Sequence, residues 1–477
     1  MTKVLAKTSS GATILDQTSG GGTTSNSYGH YSLRVKTNPV TILVSYVGYD
    51  RLTITLNIHS DTTIIIGLKS AGILEEVIVN ASRVEEIQEN SLMSRFVIPI
   101  EQIKSIPTLM GERDLMKVLQ LLPGVQSGNE GSTGLYVRGG GPDQNLILLD
   151  GVPIYNASHL YGFFSTFNSD AINHVELVKG GFPARYGGRL SSVVDISMRE
   201  GNKDKIKARA TIGAISAKAL IEGPINKKST FLFSARRSYL NLLKIGAIAD
   251  DAQKVSNKYY LFDLNGRLNY TLNKNNRIFL SGYTGGDKAS SGSHYEAENN
   301  GLTTSDSRAT NLGWGNTLAA LRWNHVYGSK LFSNVAITYS KYRFSTATKI
   351  TDIKDNGTLV DKTFYNYDYV SGIKDLAARL DFDYTPGNRQ YIRFGSGVTH
   401  HTFSPGVLAI TSKDSVQTGQ YSANKLGANE GFVYIEDDIE ITSKLKVIRG
   451  RSRNGILRRG KNVSFGSTKS FGPLSFK

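Results

Sequence analysis

The stretch "FDLNGRLNYTL" (Phe262–Leu272) changes character at every step. Phe262, Leu264, Leu268, Tyr270 and Leu272 alternate with Asp263, Asn265, Arg267, Asn269 and Thr271. A period of two puts the first set on one side of an extended strand and the second set on the other. One face is therefore dry and the other wet. "DLAARLDFDY" (Asp375–Tyr384) repeats the device, with Leu376, Ala378, Leu380, Phe382 and Tyr384 between Asp375, Arg379, Asp381 and Asp383.

The connections between such segments are sorted by length. Short turns occur at Gly223–Thr230, Asn273–Arg277, Val326–Leu331, Thr385–Gln390 and Thr442–Leu445. Between them lie long polar stretches, Gly285–Asn311 and Ser404–Gly431, which read as loops. A soluble β-sandwich gives alternation too, but it has no reason to sort its loops by end. Two-faced strands of about ten residues, short turns at one end and long loops at the other describe a transmembrane antiparallel β-barrel. About ten strands fit between residues 204 and 447, which makes the barrel a partial one.

Composition sets the outer limits. The chain has 477 residues, 24 Tyr, 19 Phe and 49 Gly against 11 Pro, as expected of a mainly β, turn-rich protein. It contains no cysteine, which excludes disulfide frameworks, thiolate metal sites and cysteine nucleophiles. The net charge of +16 invites a nucleic-acid reading, but residues 442–477 carry ten lysines and arginines and no acid; subtracting them leaves +6 over the other 441 residues. No nucleic-acid partner is expected. No apolar run of about 18 residues is present for a membrane helix, and "MTKVLAKTSSGATILDQ" lacks the apolar region of a signal peptide. Zinc-protease, Walker A and serine-hydrolase motifs are missing, and adjacent His400 and His401 point to opposite faces of a strand. No catalytic residue, metal or cofactor is expected.

Upstream, the order is a small β-sandwich, a linker and an α+β domain. Residues 1–70 carry short β-branched runs such as "TILVSYVGY" (Thr41–Tyr49). "GATIL" begins so close to Met1 that an opening strand is expected to be lacking. Residues 71–90 form a linker with one sticky extended segment, Val77, Ile78 and Val79 behind Glu75 and Glu76. Residues 91–203 hold the α+β domain, where "RDLMKVLQLLPGV" places Leu115, Val118, Leu119 and Leu122 on one helical face and stops at Pro123-Gly124. In "LYVRGGGPDQNLILLDGVPIYN", Gly139, Gly140 and Gly141 lead to a strand and open no helix that could present N–H groups to a phosphate. They read as a tight turn, with Asp150-Gly151 making the next one.

Those segments, with "DAINHVELVKGGFPARYGGRLSSVVDISMREG" and "LEEVIVNASR", resemble the plug domain of TonB-dependent outer-membrane receptors. "GATILDQTSGGGTTSNSYGHYSLRV" and "VSYVGYD" resemble the carboxypeptidase-regulatory-like domain that Bacteroidetes-type members carry ahead of the plug. The resemblance implies a plugged barrel of about 22 strands, wide enough to hold a globular domain. It implies energy-coupled uptake of a scarce extracellular ligand such as an iron chelate, cobalamin or an oligosaccharide. The implied partners are outer-membrane lipid and TonB with its inner-membrane energising complex. Residues 75–79 match the TonB-box position, where a β-branched segment could add to a partner's sheet edge. Arg138, Glu176, Lys179 and Arg185 match charged positions at the plug–barrel interface.

The family pattern begins with a signal peptide and a further strand, so the chain reads as truncated at both ends. Residues 448–477 read as a basic tail outside the pattern, such as a shifted reading frame would give. A second function stays open, a β-rich surface adhesin or glycan-binding protein without energy coupling, for which the segment at 75–79 would have no use.

Overall fold

The computed structural model describes residues 2–6, 11–68, 95–100, 103, 112–128, 133–240, 249–250, 253–412, 421–458, 461–463 and 474–476, apart from positions 27, 36–37, 47–48, 61, 301, 356–357, 388, 423 and 443–444 within those runs. The TonB-box-like segment, Glu75, Glu76, Val77, Ile78 and Val79, lies outside the described residues.

The N-terminal domain comprises β1 (Thr2–Ala6), β2 (Thr13–Asp16), β3 (Gly22–Thr24), β4 (His30–Leu33), β5 (Val40–Ser45), β6 (Leu52–Leu56) and β7 (Thr62–Ile66). They form two sheets, ordered β4-β1-β7 and β3-β2-β5-β6. Alternation drives the packing: Val40, Ile42 and Val44 of β5 join Ile14, Tyr31 and Leu33 in one core. The expectation of a missing opening strand is corrected here. Thr2–Ala6 is the central strand of the smaller sheet, antiparallel to β4 and parallel to β7. Five residues suffice for that strand, so the short distance to Met1 was a poor guide.

The plug follows with β8 (Arg95–Pro99), a helix (Leu115–Gln120), β9 (Val125–Gln126), β10 (Tyr136–Val137), β11 (Asn145–Leu149), β12 (Val152–Pro153), β13 (Ser158–His159), β14 (Phe164–Ser165), β15 (Ile172–Lys179) and β16 (Ser192–Met198). Its main sheet runs β12-β11-β16-β15-β8. Asp114 caps the helix by accepting from the N–H groups of Met116 (2.8 Å) and Lys117 (3.2 Å), the usual way to satisfy free donors at a helix start. Leu115, Val118 and Leu119 face the sheet and pack with Val175, Leu177, Val194 and Ile196. The helix stops before Pro123-Gly124.

The third part is one long antiparallel wall: β17 (Lys207–Ile212), β18 (Ser216–Asn226), β19 (Ser229–Ser238), β20 (Ala249–Asp250), β21 (Gln253–Asn273), β22 (Asn276–Asn299), β23 (Leu302–Val326), β24 (Leu331–Asp355), β25 (Val360–Gly387), β26 (Gln390–Ser412), β27 (Tyr421–Ser422), β28 (Leu426–Thr442), β29 (Leu445–Arg458), β30 (Lys461–Val463) and β31 (Leu474–Phe476). Twelve of these follow one another across the sheet from β17 to β30, while β20, β27 and β31 pair at its margins. Its burial is inverted relative to a soluble sheet. Asp263 (0% exposed) and Arg267 (8%) are covered by the plug, while Leu264 (37%) and Leu268 (45%) stand bare on the other side. A polar face turned inward and an apolar face left open is what a hydrocarbon surround selects.

Two features of the wall differ from expectation. Residues 285–311 are not a loop, since β22 and β23 pair continuously up to Asn299 opposite Leu302. The expected loop Ser404–Gly431 is likewise strand at both ends, where β26 runs on to Ser412 and β28 begins at Leu426. Hydroxyl-rich and charged side chains read as loop, but they suit a paired strand with water on both faces. The second difference lies beyond Val447, where β29 continues to Arg458. Gly450 and Ser452 are buried and alternate with exposed Arg449, Arg451 and Arg453. The period of two persists there, but arginines occupy the outward positions where the paired residues of β28 are Ile435 and Val433. An apolar/polar reading cannot see that alternation.

Candidate functional site

The joint between plug and wall gathers a network of buried charges. His159 ends β13 and is almost unexposed. Its Nδ1 lies 2.6 Å from Asp287 Oδ2 and its Nε2 lies 2.8 Å from Asp263 Oδ1. Asp263 also accepts from Arg236 Nε (2.6 Å) and the Tyr283 hydroxyl (2.7 Å). Asp287 accepts from the backbone N–H of Leu160 (2.9 Å) and from Tyr259. Burial alone would lower the imidazole's pKa, but the two carboxylates outweigh it and raise His159 to about 9. The ring is an imidazolium clamped between two strands of the wall.

A second joint forms at the Asp150-Gly151 turn. Asp150 (φ 48°) and Gly151 (φ 73°) both adopt left-handed conformations, which reverse the chain between β11 and β12. The Asp150 carboxylate accepts from the N–H of Met198 (2.9 Å) within the plug and from Arg267 Nη1 (3.1 Å) on the wall. Its carbonyl accepts from Arg322 Nη2 (2.6 Å). A Cβ on Gly151 would lie 2.7 Å from that same nitrogen, so a side chain there would strain the left-handed backbone and push the end of Arg322 off the Asp150 carbonyl.

The remaining contacts are spread along the wall. Glu200 pairs with Arg277 (3.0 Å), Arg199 with Glu222 (2.5 Å), and Arg209 with Asp170 (3.1 Å). Ser340 donates to the carbonyl of Pro153 (2.7 Å), and Tyr155 donates to Asp375, which is 2.8 Å from His401. Beside these contacts a cavity of about 340 Å³ runs between plug and wall, lined among others by Tyr155, Arg185, Arg322, Asp375, Arg379 and Asp381. Among the described residues no group of His, Asp and Glu is arranged to hold a metal.

The four charged positions singled out in the sequence divide. Arg185 reaches the wall: its backbone N–H donates to Glu436 Oε1 at 2.7 Å and its guanidinium lies 3.4 Å from the other oxygen. Glu176 takes a bidentate pair from Arg95 (2.8 and 2.9 Å), which is a bond inside the plug. Lys179 likewise donates to the carbonyl of Pro123 and sits 4.0 Å over the Phe96 ring, also within the plug. Both lie on the buried strand β15, and their partners come from the plug itself. Arg138 has φ 48° and donates its backbone N–H to Gly124 (3.0 Å), holding one side of the glycine turn. Gly139 has φ 84°, and a Cβ on Gly140 would lie 2.5 Å from the Cβ of Ser191. Only a single 3₁₀ turn, Pro142–Gln144, follows Gly141 before β11.

The residues not singled out are the plug's His159, Glu200 and Asp170 and the role of Asp150 beyond its turn. Half of the signal was visible, since Asp263, Asn265, Arg267 and Asn269 were already assigned to the wet face. Their partners come from irregular plug segments, for which periodicity gives no register.

A polar-faced, apolar-backed β-wall with a small α+β domain fixed against its polar side defines a plugged membrane barrel wall. Residues 88–194 match the TonB-dependent receptor plug domain, and residues 3–79 match the CarboxypepD_reg-like domain. The chain thus carries the plug domain of TonB-dependent receptors behind an N-terminal regulatory-like domain. It is 27% identical over 144 residues to the vitamin B12 transporter BtuB of Vibrio vulnificus, covering 29% of this chain and 23% of that protein. It is 22% identical over 459 residues to the probable TonB-dependent siderophore receptor PirA of Acinetobacter baumannii, covering 82% of this chain and 56% of that protein. The chain thus spans little more than half the length of even this longer match. Among solved structures, the ferric yersiniabactin uptake receptor FyuA of Yersinia pestis aligns with 80% of this chain and 67% of its own, at 13% identity and a TM-score of 0.39.

Proposed function

We propose that the chain is the gated part of an outer-membrane receptor for TonB-coupled uptake of a scarce ligand. The observation that carries the reading is the joint itself. The plug is held to the inner face of the wall by hydrogen bonds and ion pairs, with His159, Asp150 and Arg185 at its centre. Polar contacts of this kind can be exchanged for water, so a plug held by them can shift while the wall's hydrogen-bonded ladder stays intact. The bare outer face, with residues such as Leu268 and Ile337, suits contact with outer-membrane lipid.

An iron chelate or a cobalamin is the favoured ligand class, because the relatives are named as a siderophore receptor and a vitamin B12 transporter. TonB, with its inner-membrane energising complex, would engage the segment Glu75–Val79 by strand addition. Uptake of labelled ferric chelate and labelled cobalamin, measured in cells with and without TonB, tests the reading. Uptake should require TonB and be lost in Ile78→Pro, which removes a ladder donor, while surface binding of the ligand persists. Surface binding with no internalisation in either strain would favour the adhesin reading instead.

A further inference from the structure

The N-terminal domain is seated against the turn end of the wall. His30 stacks on the ring of Phe332 with centroids 5.0 Å apart, and Tyr28 tilts against the same ring at 5.6 Å. Asn26 Nδ2 donates to Asp383 Oδ2 at 2.5 Å, and the Ser32 hydroxyl donates to the carbonyl of Ser329 at 2.8 Å. The guanidinium of Arg322 lies 5.3 Å over the Tyr28 ring. Ser329 sits in the turn between β23 and β24, Phe332 is the second residue of β24, and Asp383 lies four positions before the end of β25. All three mark the same end of the barrel wall.

The segment that makes these contacts also lines the cavity between plug and wall. Thr24, Ser25, Asn26 and Tyr28 belong to its boundary, together with Arg322, Phe332 and Asp383 from the wall. Tyr28 is only partly exposed, and burial, opposed by the pull of Arg322, pushes its phenol up to about 12. The two attachments differ in kind. The plug is fixed by buried ion pairs, whereas the N-terminal domain touches the wall through stacked rings, a hydroxyl and one amide-to-carboxylate bond.

We propose that the N-terminal domain is a built-in stopper: Thr24, Ser25, Asn26 and Tyr28 close the turn-side mouth of the plug–wall cavity, and the mouth opens only when this domain undocks. Because its contacts bury no ion pair, the stopper separates before the plug does. What would pass through the opened mouth rests on the uptake reading above; the closure does not.

The chain has no cysteine, so single introduced thiols report access directly. Ala336→Cys places a thiol in the cavity near the turn end, and Glu430→Cys places one elsewhere in the lining. The rate of labelling by a bulky maleimide is measured on the purified full chain, without ligand or energy source. Adding Asp383→Ala and Phe332→Ala should speed labelling of Ala336→Cys at least tenfold and leave Glu430→Cys within twofold. Tyr28→Ala, which removes the ring and leaves the other contacts, should give a smaller acceleration at the same position. Unchanged labelling of Ala336→Cys in both backgrounds overturns the proposal. Equal acceleration at both thiols overturns it too, since that would report a loosened plug. The readout involves no uptake, so this test fails or succeeds separately from the receptor assignment.

Discussion

His159 Nε2 lies 2.8 Å from Asp263 Oδ1, and neither side chain is more than 1% exposed. The pair joins plug to wall, and its strength depends on a proton. The folded pKa of His159, about 9, exceeds the unfolded value of about 6.5. The stabilisation is therefore complete below about pH 6.5 and disappears as pH rises through about 9. Denaturant titrations at pH 6.5, 8 and 10 should show the plug loosening toward high pH. His159→Gln should flatten that dependence; an unaltered slope would exclude His159 as its source.

The opposite flank of the pH profile belongs to His174. Burial lowers this imidazole to about 4, although Glu176 pulls the other way. Its neutral form is the one folded, so stability is kept above about pH 6.5 and lost as pH falls toward 4. His174→Gln should move the acid unfolding midpoint of the plug downward, as followed by near-ultraviolet circular dichroism.

Asp150 and Arg267 should behave as a unit. Removing one partner leaves a buried charge alone, so Asp150→Ala is expected to cost about 3–5 kcal/mol. Asp150→Asn combined with Arg267→Met removes both charges and should cost markedly less. A double-mutant cycle in urea measures the difference; additive losses would show that the two residues do not act on each other.

Gly140→Ala tests the glycine turn. The added methyl carbon would meet the Cβ of Ser191 at 2.5 Å, so strain of about 1–3 kcal/mol is expected. Hydrogen exchange should show faster opening of β11 and β16 with little change in β22 to β25. Gly266→Ala, without left-handed backbone and with nothing within reach of its Cβ, is the comparison without a clash.

The outward face supplies a fourth kind of test. Ile337 is half exposed on β24, and Ile337→Arg should cost about 2–4 kcal/mol if the site lies at mid-membrane. The loss should appear in folding into liposomes and shrink in detergent micelles, which deform around a charge. An equal loss in both would mean that the residue packs against protein.

Fold and joint were legible to different degrees. Period-two patterns at Phe262–Leu272 and Asp375–Tyr384 specified strand and face together, because an unlike environment on each side leaves its mark in every residue. The turn at Asp150-Gly151 was legible because few residue pairs accept left-handed backbone. The pairing of His159 with Asp263 was not: 104 residues separate them, and the plug segment around His159 has no repeat to set its register. Glu176 and Lys179 misled for a related reason, since a charge in sequence does not reveal whether its partner is a neighbouring strand or another domain. Arg451 and Arg453 hid a strand by putting charge where the neighbouring strand carries Ile435 and Val433.

The paired arms of the wall bear on how such a surface can vary. β25 has 28 residues, a contour of about 90 Å at about 3.3 Å each, while about 9–11 tilted residues cross a bilayer. Much of what projects beyond the membrane is then a ruled lattice whose side chains have assigned sites. Variation on a lattice proceeds by exchange at fixed points. Inserting a single residue into β25 would turn every side chain beyond it to the opposite face unless a bulge absorbed the extra unit. Such a surface accommodates new chemistry through substitution, and changes of length are confined to its hairpin tips.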